Sequence, residues 1–189
     1  MKLFIDTTQN YCNIALINSR NQILDTYQEL TNNNMTDVVV ERISYILDKN
    51  KVSKNEIDSI YFLIGPGSFT GCRVGYIIVN TWANIKHIKI YTMDSLLFQT
   101  NNGTGISIID AKSNKKFIGI YDKYKIIIKP KIVLNKDANI LCNRFKKYRI
   151  FNDYRNIDFF ERLEQHLNKF NSIKDLNKLE PLYLKNPVE

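Results

Sequence analysis

The run Ile64-Gly65-Pro66-Gly67-Ser68-Phe69-Thr70-Gly71-Cys72-Arg73-Val74-Gly75 constrains this chain more than any other stretch. It holds four of the seven glycines and one of the four prolines. Residues 60–64 before it are a short apolar run of strand formers, which predicts a buried strand. Residues 69–85 after it lack proline and are almost wholly apolar, which predicts a buried helix. The stretch is therefore a sharp strand-to-helix turn. Gly65 and Gly67 admit backbone angles that other residues resist, and Pro66 stiffens the corner. Ser68 is placed to cap the helix. Gly71 and Gly75 then lie four apart inside it. Each costs about 1 kcal/mol relative to alanine, so a close neighbour should offset them. On one helix face they form a shallow groove that a backbone can approach.

A glycine-rich turn that opens a helix can cradle phosphate. This one lacks both the Gly-Lys-Ser/Thr of a P-loop and the glycine spacing of a dinucleotide fingerprint. A nucleophile elbow would place small residues two positions either side of Ser68, where Pro66 and Thr70 stand. A tight turn with a capped helix is the reading these residues favour.

Residues 2–6, 11–17 and 22–29 read as three strands joined by short turns, an antiparallel meander. After the loop at 31–34, capped by Asn34 or Thr36, a helix runs to about Lys49. Projected at about 100° per residue, its apolar side chains (Met35, Val38, Val39, Val40, Ile43, Tyr45, Ile46, Leu47) cover an arc of roughly 220°, where a surface helix needs little over about 100°. The excess predicts a second buried contact, within the chain or with a partner. Strands follow at 88–92, 106–110, 116–122, 124–129 and 148–151, with helices at 95–99 and 157–170. Asn101-Asn102-Gly103-Thr104-Gly105 is the expected boundary between an N-terminal lobe, 1–102, and a smaller C-terminal lobe, 103–189.

Charge divides at the same place. Residues 1–100 carry nine Lys/Arg and nine Asp/Glu, whereas residues 101–189 carry eighteen and ten, the whole +8 excess. A basic second lobe attracts polyanions such as tRNA. The three cysteines, Cys12, Cys72 and Cys142, form neither a disulfide framework nor a zinc pattern, and a reducing cytoplasm is the expectation. No apolar run reaches the ~20 residues of a membrane span, and Asp6 interrupts the N-terminus too early for a secretory leader. His87 and His166 read as solvated or helix-end residues rather than ligands.

The segment Gly-Pro-Gly-Ser-Phe-Thr-Gly-Cys-Arg-Val-Gly resembles the signature of the TsaB family of bacterial threonylcarbamoyladenosine-biosynthesis proteins. Ile5-Asp6-Thr7-Thr8 resembles the first phosphate-loop region of the actin, sugar-kinase and heat-shock-ATPase superfamily. Ile109-Asp110-Ala111-Lys112 resembles the family's second-lobe Asp-Ala-Arg motif, and residues 181–186 its C-terminal Pro-x-Tyr-Leu-Arg.

The resemblance implies a two-lobed actin/sugar-kinase-like, ribonuclease-H-like α/β fold, with mixed sheets flanked by helices and a reduced second lobe. It implies a non-catalytic scaffold that pairs with TsaD, the homologous transferase, works with TsaE, and serves threonylcarbamoyl transfer to the tRNA adenosine beside the anticodon. In the family the first two helices of the N-terminal lobe make the pairing surface. The expected interface here is Val40, Ile43, Leu47, Gly71, Arg73, Gly75 and Ile78, a surface apolar enough for a homodimer when the chain is alone. The TsaD metal-binding His-x-x-x-His pair falls on Ser95 and Gln99, so neither a metal nor an obligatory cofactor is expected. Asp6 with Thr7, Thr8 and Asp110 forms the candidate nucleotide set, for weak ATP or ADP binding. The same aspartates could instead cap their own turns. Two rivals stand beside the scaffold: an actin-like ATPase or small-molecule kinase using Asp6, and a tRNA-binding module using the basic half.

Overall fold

The computed structural model describes residues 1–31 and 34–184. Asn32 and Asn33 of the expected loop, and Lys185 and Asn186 of the tail motif, lie outside them.

The first sheet has the order β10-β5-β4-β1-β2-β3. Strands β1 (Lys2–Asp6), β2 (Tyr11–Ile17) and β3 (Ile23–Leu30) form the expected antiparallel meander. Helix α1 (Met35–Lys49) then crosses to β4 (Ser59–Leu63), which runs parallel to β1. Helix α2 (Phe69–Lys86) leads to β5 (Lys89–Met93), parallel to β4. Alternation along the strands feeds two cores. Leu3, Ile5, Ile14, Leu16, Ile60 and Phe62 face α1 and α2. Phe4, Ala15, Ile17, Tyr61 and Leu63 face the other way. There they meet Phe98 of α3 (Ser95–Phe98) and Phe159 and Leu163 of α5 (Phe159–His166).

The second sheet has the order β8-β7-β6-β9. It contains β6 (Gly105–Asp110), β7 (Lys115–Asp122), β8 (Lys125–Leu134) and β9 (Ile150–Asn152). Ile109, Phe117 and Tyr121 face Leu96 of α3. Ile106, Ile108, Ile118 and Ile120 face α4 (Asn135–Arg144). The layers are therefore α1 with α2, first sheet, α3 with α5, second sheet, α4. Two mixed sheets flanked by helices make this the α/β fold expected from the sequence.

Four elements differ from the sequence reading. β8 runs on through Pro130 because it is an edge strand, and its register shifts between the pairings of Ile118 and Ile120. Proline is tolerated at such edges and bulges because no ladder bond needs its missing N–H. The helix expected over 157–170 is shorter, and a three-residue strand, β10 (Asn171–Ile173), follows it and pairs with β5. The tail thus recrosses the boundary expected at residue 102 and edges the first sheet. Helix α4 fills a stretch for which the sequence reading places no element.

Helix α1 buries Met35, Val39, Ile43, Ile46 and Leu47. At about 2 kcal/mol each, these contribute roughly 10 kcal/mol before chain entropy is set against them. The wide apolar arc is filled mostly from within, because α1 packs on β2 and β3 and also on α2.

Candidate functional site

The turn after β1 is closed by the glycine helix. A Cβ on Gly67 would lie 2.0 Å from the Thr8 carbonyl oxygen, and one on Gly71 1.9 Å from that of Thr7. One on Gly75 would meet Thr7 Oγ1 at 2.4 Å and the Phe62 ring at 2.6 Å. Only glycine leaves room for this backbone approach. Two hydrogen bonds lock it: Ser68 N–H donates to Thr8 O at 2.7 Å, and Thr7 Oγ1 donates to Gly71 O at 2.7 Å. Gly65 takes a positive φ of 99° at the corner, the conformation expected of it. Ser68 caps α2 as expected, accepting from Gly71 N–H.

Asp6 sits beneath this turn, fully buried. Its carboxylate accepts from Thr8 N–H at 2.8 Å, Thr8 Oγ1 at 2.7 Å and Asn13 Nδ2 at 3.1 Å. Burial pushes its pKa up, against the pull of these donors. Asn13 in turn accepts from Gln28 Nε2 at 2.7 Å. The polar groups of Asp6 and Thr7 are occupied by the turn itself, and Thr8 is buried with them.

Beside the turn, between the two sheets, lies a cleft of about 1080 Å³. Gln9, Asn10 and Ser68 line it on the side of the first sheet, and Asp110, Lys112, Asp153 and Arg155 on the side of the second. Tyr11, Phe69, Phe117, Tyr154, Phe159 and Tyr183 supply aromatic walls. Asp110 pairs with Lys116 at 3.1 Å and Lys112 at 3.5 Å, and Lys116 holds its pKa below the usual range. Of the expected nucleotide set, only Asp110 reaches the cleft. Asp6, Thr7 and Thr8 are absent from its lining because the glycine seat shuts their turn.

Ser95 and Gln99 are fully buried rivets. Ser95 Oγ donates to Thr8 Oγ1 at 3.1 Å. Gln99 Nε2 donates to Ser107 Oγ and Ile108 O, and Gln99 Oε1 accepts from Tyr154 N–H. They tie α3 to the first turn and to the second sheet. Among the described residues, no three of His, Cys, Asp and Glu come together as a metal group. Cys12 and Cys72 are buried, with burial the main force raising each thiol to about 12.

Two buried polar contacts carried no clear sequence signal. Asp94 Oδ1 accepts from Tyr121 OH at 2.9 Å, and burial pushes its pKa to about 6. His166, read as solvated or helix-end, is the last residue of α5 and is fully buried. Its Nε2 donates to Thr100 O at 3.0 Å and its Nδ1 accepts from Tyr124 OH at 3.1 Å. Burial lowers its pKa to about 4.

The expected partner surface is redrawn. Ile43 and Leu47 belong to the chain's own core. Gly71 and Gly75 are covered by Thr7, so the close approach that they permit is internal. Ile78 is half-buried against the same core. Val40 remains 54% exposed, and Arg73 lies on the surface with its guanidinium 4.0 Å from the centre of the Phe69 ring. Ile77 and Ile85 of α2, not singled out from the sequence, are 60% and 68% exposed.

Comparisons place this architecture. A family model, TsaD: tRNA N6-adenosine threonylcarbamoyltransferase, matches residues 25–150. The uncharacterized protein MG208 homolog of Mycoplasma pneumoniae is 32% identical over 99% of this chain and 96% of its own length. The tRNA threonylcarbamoyladenosine biosynthesis protein TsaB of Buchnera aphidicola is 34% identical over 46% of this chain and 39% of its own. The crystal structure of an uncharacterized Pseudomonas aeruginosa protein with similarity to peptidase YEAZ superposes with a TM-score of 0.74 at 16% identity, covering 97% of this chain and 99% of that one. The chain belongs to the family that the TsaD model describes, and its similarity to proteins named TsaB bears out the resemblance carried by the glycine run.

Proposed function

We propose that this chain is an accessory, non-catalytic subunit in the synthesis of threonylcarbamoyladenosine on tRNA. The work is done in the cytoplasm, and the partner is a TsaD-type transferase subunit. The observation that carries this reading is the sealed turn at Asp6. The one carboxylate placed like a phosphotransferase aspartate is fully buried and outside the cleft, with its oxygens already accepting from Thr8 and Asn13. The ATPase rival needs that group free. Family membership supplies the reaction to which such a subunit is accessory.

Pairing would use the outer surfaces of α1 and α2, which pack on each other. Val40, Ile77 and Ile85 stand exposed there, and Arg73 stacked on Phe69 adds a rigid cation. Buried aromatic and arginine anchors carry most binding energy at protein interfaces. A homodimer through this surface would compete with the heterodimer, and TsaE would join the assembled pair.

The test is co-expression with a TsaD-type subunit from the same cell. Ile77→Glu with Ile85→Glu should leave the chain folded, since both sites face solvent, and weaken the complex more than a hundredfold. A buried unpaired charge costs several kcal/mol. An undiminished complex would overturn this placement, and no complex with the unmodified chain would overturn the scaffold reading.

A further inference from the structure

One end of the second sheet gathers cations that form no ion pair among the described residues. From Lys123 to Arg149 there are nine Lys or Arg residues and a single acid, Asp137. The β7–β8 turn carries Lys123 and Lys125, both exposed. The loop before β9 reaches the same end, since Arg149 O accepts from Ile106 N–H at 2.9 Å at the start of β6. Tyr148 OH donates to Asp122 Oδ2 at 3.2 Å, tying that loop to the β7–β8 turn. Lys147 and Arg149 flank this tyrosine and are exposed. Lys169 joins from beyond α5, its Nζ 5.3 Å from the centre of the Tyr124 ring.

Three of these cations, Lys147, Arg149 and Lys169, rest over aromatic rings. Lys147 Nζ lies 4.8 Å over the Tyr148 ring, and Arg149 lies 5.3 Å over Phe151. Arg162 approaches the same Phe151 ring at 5.6 Å. It is nine-tenths buried, and its Nε–H has no acceptor among the described residues. None of Lys123, Lys125, Lys147, Arg149 and Lys169 forms an ion pair among the described residues. Two guanidinium groups drawn to one ring form an arrangement that an added anion would stabilise.

We propose that this rim of Lys123, Lys125, Lys147, Arg149 and Lys169 binds the sugar–phosphate backbone of a folded RNA. Strand ends set the spacing of the rim, and rings beneath Lys147, Arg149 and Lys169 restrict three of its charges, an arrangement suited to discrete phosphates. A lipid surface would call for an apolar anchor beside the cations. Ile126 and Ile127 are exposed nearby at a register shift of β8, but they are two side chains on a strand and not the apolar face of an amphipathic helix. The rings lie under their own cations, so the contact reads phosphates and shape rather than base sequence. The β6–β7 turn, which lines the cleft, is at the other end of the sheet, so the rim and the cleft are separate sites. The inference rests on the function proposed above only for the choice of tRNA as probe.

The experiment measures anisotropy of a labelled tRNA transcript with the purified full chain across 50–200 mM salt, the range over which several phosphate contacts change affinity steeply. K123Q/K125Q/K147Q/R149Q should lose affinity more than tenfold at 100 mM salt. Its log–log salt slope should fall by about three to four, near one for each phosphate left without its cation. The control K51Q/K54Q/K86Q/K89Q removes four exposed charges from the first lobe and should stay within twofold. Thermal melts confirm that both variants fold. Equal losses in both variants would overturn the proposal, as would no tRNA binding by the unmodified chain. So would capture by phosphatidylserine vesicles that depends on the rim while tRNA binding does not. The rim variant should still form the complex with the TsaD-type subunit, which separates failure of this site from failure of the scaffold reading.

Discussion

Asp6 ends β1 and Asp110 ends β6, so each opens the first turn of its own sheet. Asp6 is shut beneath three close-approach glycines and bonded by Thr8 and Asn13. Asp110 keeps 39% of its side chain in solvent, beside Lys112 and Lys116, and lines the cleft. One residue type at one kind of position has become a structural acceptor in the first sheet and a part-exposed, ion-paired charge in the second. The difference comes from what lies over each turn. A helix with glycines at 71 and 75 can descend onto Thr7, whereas the β6–β7 turn leaves its lysines exposed or half-exposed.

The most forceful way to break this contrast is to raise the lid. Gly71→Ala puts a methyl group where the Thr7 carbonyl stands, and backbone on both sides must move. Overpacking of this kind should cost about 3 kcal/mol, read as a lower urea midpoint. A loss below about 1 kcal/mol would show that the Thr7-Thr8 turn shifts freely and that the seat does not hold Asp6 shut.

A smaller effect should separate the two aspartates directly. Asp6→Asn turns one acceptor into a donor. Asn13 cannot answer by turning its amide, because its Oδ1 already accepts from Gln28. The buried mismatch should cost about 2 kcal/mol. Asp110→Asn removes surface ion pairs and should cost under about 1 kcal/mol. Equal losses in thermal melts would erase the contrast.

Much of this was legible. The glycine run fixed the β4–α2 corner and the Ser68 cap, and apolar periodicity placed α1 within its observed bounds. Sequence could not tell whether glycines 71 and 75 admit a partner or the chain's own turn, since helix projection shows a groove and not what fills it. The same limit misassigned Ile43 and Leu47, which the chain's own core covers. Helix α4 escaped notice because only Ala138 among its ten residues is fully buried. The Arg144-Phe145-Lys146-Lys147-Tyr148-Arg149 run was readable as alternating basic and aromatic residues. Its meaning needed the sheet that brings Lys123 beside it. β10 is three residues long, too short to carry a period.

The finest test is the titration of the two carboxyls. Burial raises the Asp6 pKa above the ordinary 3.8, and Lys116 lowers that of Asp110 below it. The signs of their contributions to stability are opposite. A raised carboxyl takes up its proton in the folded state while the unfolded chain is still ionised. Asp6 therefore favours the fold increasingly as pH falls toward 3.8, and opposes it at neutral pH. Asp110 stabilises above the ordinary value, and that contribution is lost as pH falls through its lowered pKa. Carboxyl carbon shifts followed by NMR should give an Asp6 midpoint above 3.8 and an Asp110 midpoint below it. Lys116→Gln should bring Asp110 back toward the ordinary value and leave Asp6 where it was. If the substitution moved both midpoints, the two turns would share one field, and the closed turn would not be isolated from the cleft beside it.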